Sequence, residues 1–258
     1  MSAAPRVAAL VGTALLAAIG ACGTAAVPTA PAAPGDGPRV TARARAVAPE
    51  PVLPTALPEP PPPPVAPPPP PLAPPAPVIA PVSAAELSAS WRPGCPVPPQ
   101  DLRAVTVTFT DFGGADRQGR LVVRADVAQA VADVFAELHA IRFPIAGVQP
   151  VEAFGGSDDA SMAANNTSAF NCRAVTGGTG FSEHSYGTAI DLNPVQNPYV
   201  RGTTVLPEAG RAHLDRSSAP GRVLAGDAVV RAFAARGFSW GGDWRTLKDY
   251  QHFSLSGG

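Results

Sequence analysis

Residues 181–191, Phe-Ser-Glu-His-Ser-Tyr-Gly-Thr-Ala-Ile-Asp, place His184 and Asp191 seven residues apart with a glycine between them. Near the C-terminus, the segment Asp-Tyr-Gln-His adds Asp249 and His252. Two imidazoles and one carboxylate are a typical ligand set for a catalytic zinc ion, whose fourth position stays open to water. Asp249 lies outside this set and could take a proton from that water. The sequence therefore predicts a hydrolytic zinc site with an adjacent general base.

The residues around these ligands predict strands that hold them in place. Thr188–Leu192 is short, apolar and partly β-branched, which is typical of a buried strand, and it would present Asp191. Tyr250–Leu255 alternates in polarity, which places His252 on one face of a second strand. Gly187 would let the chain turn closely past the metal. Strands hold ligands more rigidly than loops do, so this arrangement favours a well-formed site.

Two runs in this part of the chain resemble the signatures of a known family. SEHSYGTAIDLNP at 182–194 and DYQHF at 249–253 resemble those of the bacterial D-Ala-D-Ala metallopeptidases (peptidase family M15), which include VanY-type and VanX-type enzymes and certain phage endolysins. The resemblance covers residues 95–257. It implies that one Zn2+ is bound by the two histidines and Asp191, and that Asp249 is the catalytic base.

The residue at position 249 bears on which bond of the substrate is cut. Many members of the family carry glutamate there, and aspartate is more similar to the branch that cleaves L-Ala-D-Glu bonds. That branch often has an acidic residue after the His-Phe pair, where this chain has Ser254. D-Ala-D-Ala carboxypeptidase and L-Ala-D-Glu endopeptidase activity therefore both stay open, with peptidoglycan stem peptides as the substrate class.

Four further residues are candidates for the cleft. The family carries an arginine upstream of the first motif that stabilises the oxyanion, and Arg173 could do so because a guanidinium offers permanently charged donors. An ordinary surface ion pair is the alternative for this side chain. Ser182 and Tyr186 in the first motif, and Trp244 ahead of the second, are candidate substrate-binding residues, although packing alone would also explain Trp244.

The pattern of the folded region predicts an α+β domain rather than a doubly wound sheet, because strands and helices do not alternate regularly. The resemblance implies a small antiparallel sheet with flanking helices, as in the Hedgehog and DD-peptidase folds. Asp158 and Asp159 are expected to cap a helix that follows them, and contact with an ammonium group of the substrate is the alternative. Hydrophobic periodicity predicts strands at 105–109, 121–125 and 145–154, and helices at 126–139 and 228–236.

The N-terminus predicts an exported protein. Met1–Arg6 carries a positive charge, and Val7–Ile19 is an apolar run of signal-peptide length, too short for a membrane span. The next residues complete Ile-Gly-Ala-Cys at 19–22, which resembles a bacterial lipobox in which Cys22 is lipidated. An ordinary signal peptide with an incidental Cys22 is the alternative. Residues 1–22 are thus interpreted as a signal peptide, and the protein as anchored by lipid to the outer face of the cytoplasmic membrane or secreted.

Residues 23–90 are rich in proline and alanine and predict a disordered linker before a domain at 91–258. The chain has 33 prolines, most of them in this segment. Proline fixes φ and cannot donate to a ladder, which favours extended polyproline II. At about 3.1 Å per residue, Pro28–Val82 could reach up to roughly 170 Å. We interpret it as a spacer across the cell wall; a PxxP ligand for a recognition domain is the alternative.

Three cysteines leave one thiol over in an exported protein. If Cys22 carries lipid, Cys95 and Cys172 form an even pair in an oxidising compartment and are predicted to be joined by a disulfide. The alternative is that both thiols are free.

The formal net charge of −1 argues against capture of nucleic acid. The expected partners are peptidoglycan peptides and, through the lipid, a membrane, and the protein is expected to be a monomer. His139 and His213 are expected to be structural or solvated rather than metal ligands. A non-catalytic cell-wall-binding protein on the same scaffold is the alternative to the peptidase, although a pure binder would not need Asp249.

Overall fold

A long antiparallel hairpin is the largest element of the computed structural model, which describes residues 75–175 and 177–257. Its strands, β2 (Leu102–Thr110) and β3 (Asp116–Arg124), pair along their whole length. A short strand, β1 (Val78–Pro81), adds to the other edge of β2. The strands predicted at 105–109 and 121–125 lie within this hairpin and are confirmed.

One face of the hairpin is covered by α1 (Ala128–Ala140), which confirms the helix predicted at 126–139. A 3-10 turn at Ala125–Val127 delays the start of the helix by two residues relative to the prediction. The buried side chains of α1 follow the spacing of three and four residues that an amphipathic helix requires. They are Ala128, Val131, Ala132, Val134, Phe135 and Leu138.

Two small antiparallel sheets complete the fold; the first carries the predicted ligands Asp191 and His252, and the second carries the predicted base Asp249. The first contains β4 (Ala189–Asp191), β9 (His252–Ser254) and β7 (Ser239–Trp240), in that order. The second contains β6 (Thr204–Leu206), β5 (Tyr199–Arg201) and β8 (Lys248–Asp249).

Two further helices are short: α2 (Asp158–Ala163) and α3 (Ala228–Ala234). The ring of Phe233 on α3 stacks on that of Phe253 in β9, with centroids 3.8 Å apart, so this helix packs directly behind the strand that holds His252. The helix predicted at 228–236 is confirmed, and its end is two residues earlier. The α+β class with small antiparallel sheets is therefore confirmed.

The strand predicted at 145–154 is wrong. This segment forms one isolated bridge, at Val148, which follows a bridge at the preceding Pro144, and it ends in a 3-10 helix at Val151–Phe154. Pro144 and Pro150 lack the backbone donor that a ladder requires, which explains the interruption. Ile145, Val148 and Val151 are buried. The apolar pattern therefore predicted the burial of this segment correctly, but it did not predict its backbone conformation.

The folded region begins before residue 91, the boundary predicted from the sequence, and includes residues 78–90 of the predicted linker. β1 pairs with β2, and Leu87 is only 1% exposed. Val82 and Leu87 join a second apolar cluster with Leu102 and Val122. The proline content hid this strand, since Pro81 is tolerated at a sheet edge where its missing N–H faces away from the ladder.

The predicted disulfide between Cys95 and Cys172 is present, with a Cα–Cα distance of 6.0 Å. It ties the start of the domain to the segment just before the first motif, and Arg92 reinforces this by donating from Nη1 to the Cys172 carbonyl at 2.8 Å. The signal peptide, Cys22 and the linker up to residue 74 lie outside the described residues. Within the described ranges, no helix has the length and apolar character needed to cross a bilayer.

Replacing both disulfide cysteines with serine is expected to lower the free energy of unfolding by about 2–4 kcal/mol, because the unfolded chain gains entropy when the loop is open. The two positions are 77 residues apart, so the closed loop is long. Urea denaturation followed by tryptophan fluorescence would measure the loss, and reduction of the wild-type protein should reproduce it. An unchanged unfolding midpoint in both experiments would contradict a stabilising role.

Candidate metal centre

The three predicted ligands come from two adjacent strands and one tight turn. Asp191 ends β4 and His252 begins β9, and the two residues face each other directly in the antiparallel register. His184 lies in a 3-10 helix, Glu183–Tyr186, whose first residue follows Ser182. The Ser182 hydroxyl accepts a hydrogen bond from the His184 backbone N–H at 3.4 Å, so the serine caps the turn that presents the histidine.

Gly187 ends this turn in the left-handed region, with φ of 67°. A Cβ at this position would lie 2.7 Å from the backbone nitrogen of Arg124 in β3. That nitrogen donates to the Gly187 carbonyl at 2.9 Å. The glycine is therefore required by close approach to β3, rather than by passage of the chain near the metal as the sequence suggested.

The side chains of the three ligands meet at distances that suit a single metal ion. His184 Nε2 is 3.1 Å from Asp191 Oδ2, and His252 Nδ1 is 3.1 Å from Asp191 Oδ1. One ligand atom from each residue lies within 4.8 Å of the others, and all three residues are buried. Two atoms that each bind a tetrahedral zinc at about 2.1 Å are about 3.4 Å apart. The donor set and spacing therefore fit zinc.

The tautomer of His184 is fixed by a partner on its other ring nitrogen. Nδ1 lies 2.6 Å from the carbonyl oxygen of Ala169, which can only accept, so Nδ1 carries a proton. Nε2 is thereby left to face Asp191 as a ligand atom, which is the usual outer-shell arrangement for a metal-binding histidine.

The electrostatics of the cluster keep Asp191 ionised. Burial alone would raise its pKa, but His184 and His252 outweigh burial and hold the pKa of Asp191 far below its usual range. Burial likewise opposes the charging of His184, but the Asp191 carboxylate outweighs it and raises the pKa of that imidazole. A carboxylate must be deprotonated to bind a metal ion, and Asp191 is held in that state between the two imidazoles.

Asp249 stands beside the ligands with one oxygen free. Its Oδ1 is buried and has no hydrogen-bond partner among the described residues. Burial, followed by the nearby Asp191 carboxylate, raises the pKa of Asp249 to about 7. A carboxyl group whose pKa is close to neutral can both accept and return a proton, which is the property of a general base that later acts as an acid.

The segment that carries Asp249 and His252 is held from several sides. The indole of Trp240 donates to the Tyr250 carbonyl at 2.8 Å, and the guanidinium of Arg216 lies 4.1 Å from the centre of the Tyr250 ring. A Cβ on Gly241 would lie 2.5 Å from the Asp249 carbonyl oxygen, so only glycine fits there. The Trp-Gly-Gly run ahead of the second motif therefore fixes the position of the base.

These groups open into a cleft of about 790 Å3. Arg173, Ser182 and Trp244, which the sequence proposed for the cleft, all line it together with Asp249 and the three ligands. The ring of Trp244 lies 5.4 Å from that of His252, and its Nε1 donates to the Gly257 carbonyl at 2.8 Å. Trp244 therefore packs against its neighbours and also forms part of the cleft wall.

Tyr186 is placed elsewhere. It is 37% exposed and lines a separate depression with Arg124, Thr188 and Leu255, not the cleft that contains the ligands. The 3-10 turn at Glu183–Tyr186 points His184 inward, and the tyrosine two positions later falls on the other side of that turn. Its assignment to substrate binding is not supported by this placement.

Asp158 differs from its expected role. The helix cap of α2 is Ser157, whose hydroxyl accepts from the Ala160 N–H at 3.2 Å. Asp158 instead pairs with Arg173 at 2.7 Å and lines the cleft, where burial raises its pKa despite the arginine. The ion pair foreseen as the alternative for Arg173 thus exists, but it lies inside the cleft rather than on an ordinary surface.

Gln251 also lines the cleft and was not singled out by the sequence. It is 2% exposed, and its Oε1 has no partner among the described residues. Its position inside the second motif was the available signal. The other two histidines lie away from the ligands, as expected: His139 Nε2 is 3.0 Å from Asp116, and His213 Nδ1 is 3.0 Å from Arg222.

Comparison with known proteins supports the same interpretation. Residues 176–255 match the family model described as D-alanyl-D-alanine carboxypeptidase. That range contains all three ligands and Asp249 but stops short of Arg173 and Asp158. No solved structure matches the chain.

Proposed function

From the membership of peptidase family M15 that the match over residues 176–255 supports, we propose that the protein is a zinc-dependent peptidase that hydrolyses peptidoglycan stem peptides. The observation that carries the proposal is the buried group of His184, Asp191 and His252 beside Asp249, whose Oδ1 has no partner in the described part of the chain. A binding protein would gain nothing from a buried carboxyl oxygen without a partner, whose desolvation costs stability.

The chemistry divides between the metal and the chain's own residues. Zinc, held by His184, Asp191 and His252, would supply a Lewis acid and lower the pKa of a bound water. Asp249 would accept the proton released when a water attacks the scissile carbonyl and would donate it to the leaving amine. Its pKa of about 7 suits both transfers near neutral pH.

Arg173 is the proposed donor to the oxygen that becomes negative during this attack. Asp158 holds its Nη2 at 2.7 Å, and Nη1 donates to the Ala174 carbonyl at 3.2 Å, so the guanidinium is fixed at the cleft wall before substrate arrives. The Arg173 Nε is buried and has no partner among the described residues. Donors that are fixed in advance stabilise developing charge without reorganisation.

The experiment that tests this function is digestion of purified muropeptides by the zinc-loaded protein, with the products weighed by mass spectrometry. Loss of one terminal alanine identifies a D-Ala-D-Ala carboxypeptidase, and separation of the stem after its first residue identifies an L-Ala-D-Glu endopeptidase. Binding to sacculi without hydrolysis of any stem peptide would overturn the proposal in favour of a wall-binding protein.

We also propose that the protein is exported and anchored through lipid on Cys22. The support is the charged and apolar run at 1–19 followed by a lipobox-like sequence. A lipid on Cys22 also accounts for the third cysteine, because Cys95 and Cys172 are joined to each other.

Cys22→Ser is expected to release the protein from the membrane fraction or to stall its processing, because the acyl chains supply the membrane affinity. Fractionation and intact mass would show the change. Cys95→Ser is the matched control, since it removes a cysteine inside the domain and should leave the anchor in place. Unaltered membrane attachment of Cys22→Ser would contradict a lipid at this residue.

A further inference from the structure

Two arginines at the rim of the cleft have no partner among the described residues. Arg201 and Arg245 both line the cleft that contains the ligands. Neither guanidinium forms a hydrogen bond or an ion pair with any residue in the ranges that the structure describes. The third arginine of the cleft, Arg173, is already paired with Asp158. The rim therefore carries two positive charges that no residue of 75–175 or 177–257 neutralises.

Four acidic residues line the cleft, and two of them are held by other side chains. Asp191 lies between the two ligand histidines, and Asp158 holds Arg173. Glu183 also lines the neighbouring depression together with Arg124. The remaining acid, Asp249, is the proposed base. None of these four acids forms an ion pair with Arg201 or Arg245 in the described part of the chain.

The strand register places Arg201 close to the reacting groups. Tyr199 faces Asp249 across the β5–β8 pair, and Arg201 is two residues further along β5. Residues two apart in a strand point to the same face and are about 7 Å apart. Tyr199, Arg201 and Leu206 all line the cleft, which agrees with this alternation.

Arg245 approaches from the neighbouring segment. It follows Trp244, whose ring lies 5.4 Å from the His252 ring. Arg245 also lies two residues before Leu247. If the β5–β8 pairing continued by one residue, Leu247 would face Arg201. The Arg201 side chain extends to Gly177, since a Cβ built on that glycine would lie 3.7 Å from Arg201 Nη1.

We propose that Arg201 and Arg245 form a carboxylate-binding subsite, through which the cleft selects stem peptides that carry a free carboxylate next to the bond that is cut. Arginine suits this role because its planar donors match a carboxylate in two parallel hydrogen bonds. This inference rests on the proposed peptidase function. The carboxylate is either the C-terminus of a peptide cut at its end or the free carboxylate of the glutamate in a peptide cut at L-Ala-D-Glu.

The test uses synthetic stem pentapeptides with both carboxylates free, with the C-terminus amidated, or with the glutamate amidated. The zinc-loaded full chain is compared with Arg201→Gln and Arg245→Gln. Arg231→Gln is the matched control, because Arg231 is exposed on α3, does not line the cleft and carries the same charge.

One of the two amidations is expected to lower kcat/KM by about tenfold, the lower end for a hydrogen bond between charged groups. Each cleft variant should lose a similar factor on the free peptide and lose most of its preference for it over the amidated one. Arg231→Gln should behave as wild type. Sensitivity to the C-terminal amide would identify that carboxylate as the ligand, and sensitivity to the glutamate amide would identify the other.

Equal kcat/KM for all three peptides, or an unchanged preference in both cleft variants, would overturn the subsite. If the wild-type protein cuts none of the peptides, the peptidase function fails separately. Calorimetric titration with the same peptides then decides the subsite alone: tighter binding of the free peptide, lost in the cleft variants, supports it, and equal binding overturns it.

Discussion

His184→Ala and His252→Ala are each expected to remove both the metal and the peptidase activity. Each change deletes one of three protein ligands from a site where the ligand atoms lie within 4.8 Å of one another. Two ligands fall short of the three protein donors that a catalytic zinc site supplies. Metal content by mass spectrometry and hydrolysis of a stem peptide would be measured on the same samples.

His139→Ala is the control for this prediction. His139 belongs to α1 and pairs with Asp116 at 3.0 Å, away from the ligand group, so its loss should leave one zinc ion per chain. Near-stoichiometric zinc in the double variant of His184 and His252 would defeat the ligand assignment.

Asp249→Asn is expected to retain zinc and to slow hydrolysis by at least about a hundredfold. An amide keeps the shape of the carboxyl group but cannot accept the proton, and the loss of a general base costs about 10²- to 10⁴-fold in rate. Zinc content should be unchanged because Asp249 is outside the ligand group. Asp243→Asn is the control, since Asp243 is exposed, lies in the preceding 3-10 helix and does not line the cleft.

Wild-type turnover by Asp249→Asn would show that another group takes the proton. Loss of zinc in this variant would instead place Asp249 among the ligands. These two outcomes separate chemistry from metal binding, which the histidine variants alone do not do.

The group of candidate ligands was predictable from the sequence because each motif contains both the ligand residue and the residues that form the strand or turn around it. The run from 188 to 192 is typical of a buried strand, and the structure has β4 ending at Asp191. What the sequence did not contain is the pairing that brings residues 191 and 252 together, which depends on contacts 61 residues apart. The resemblance to a family supplied that pairing, and β4–β9 register confirms that the two residues are adjacent.

The predictions that were wrong share a physical cause. A local sequence pattern indicates burial or composition, but it does not indicate which distant residues come into contact. The proline at position 81 is typical of a linker, but Pro81 ends an edge strand, where proline is tolerated. Asp158 reads as a helix cap because it begins α2, but its carboxylate is drawn to Arg173, whose position is set by a different segment of the chain. Tyr186 lies two residues from a ligand, but a 3-10 turn separates their directions.

The most direct test of the account is zinc add-back to protein stripped with a chelator, followed by hydrolysis of a peptidoglycan stem peptide. The arrangement of His184, Asp191 and His252 as one ligand group predicts that activity is absent without metal, rises with added zinc and saturates at one equivalent per chain. Full hydrolysis by the stripped protein, or no hydrolysis of any stem peptide by the fully loaded protein, would contradict it.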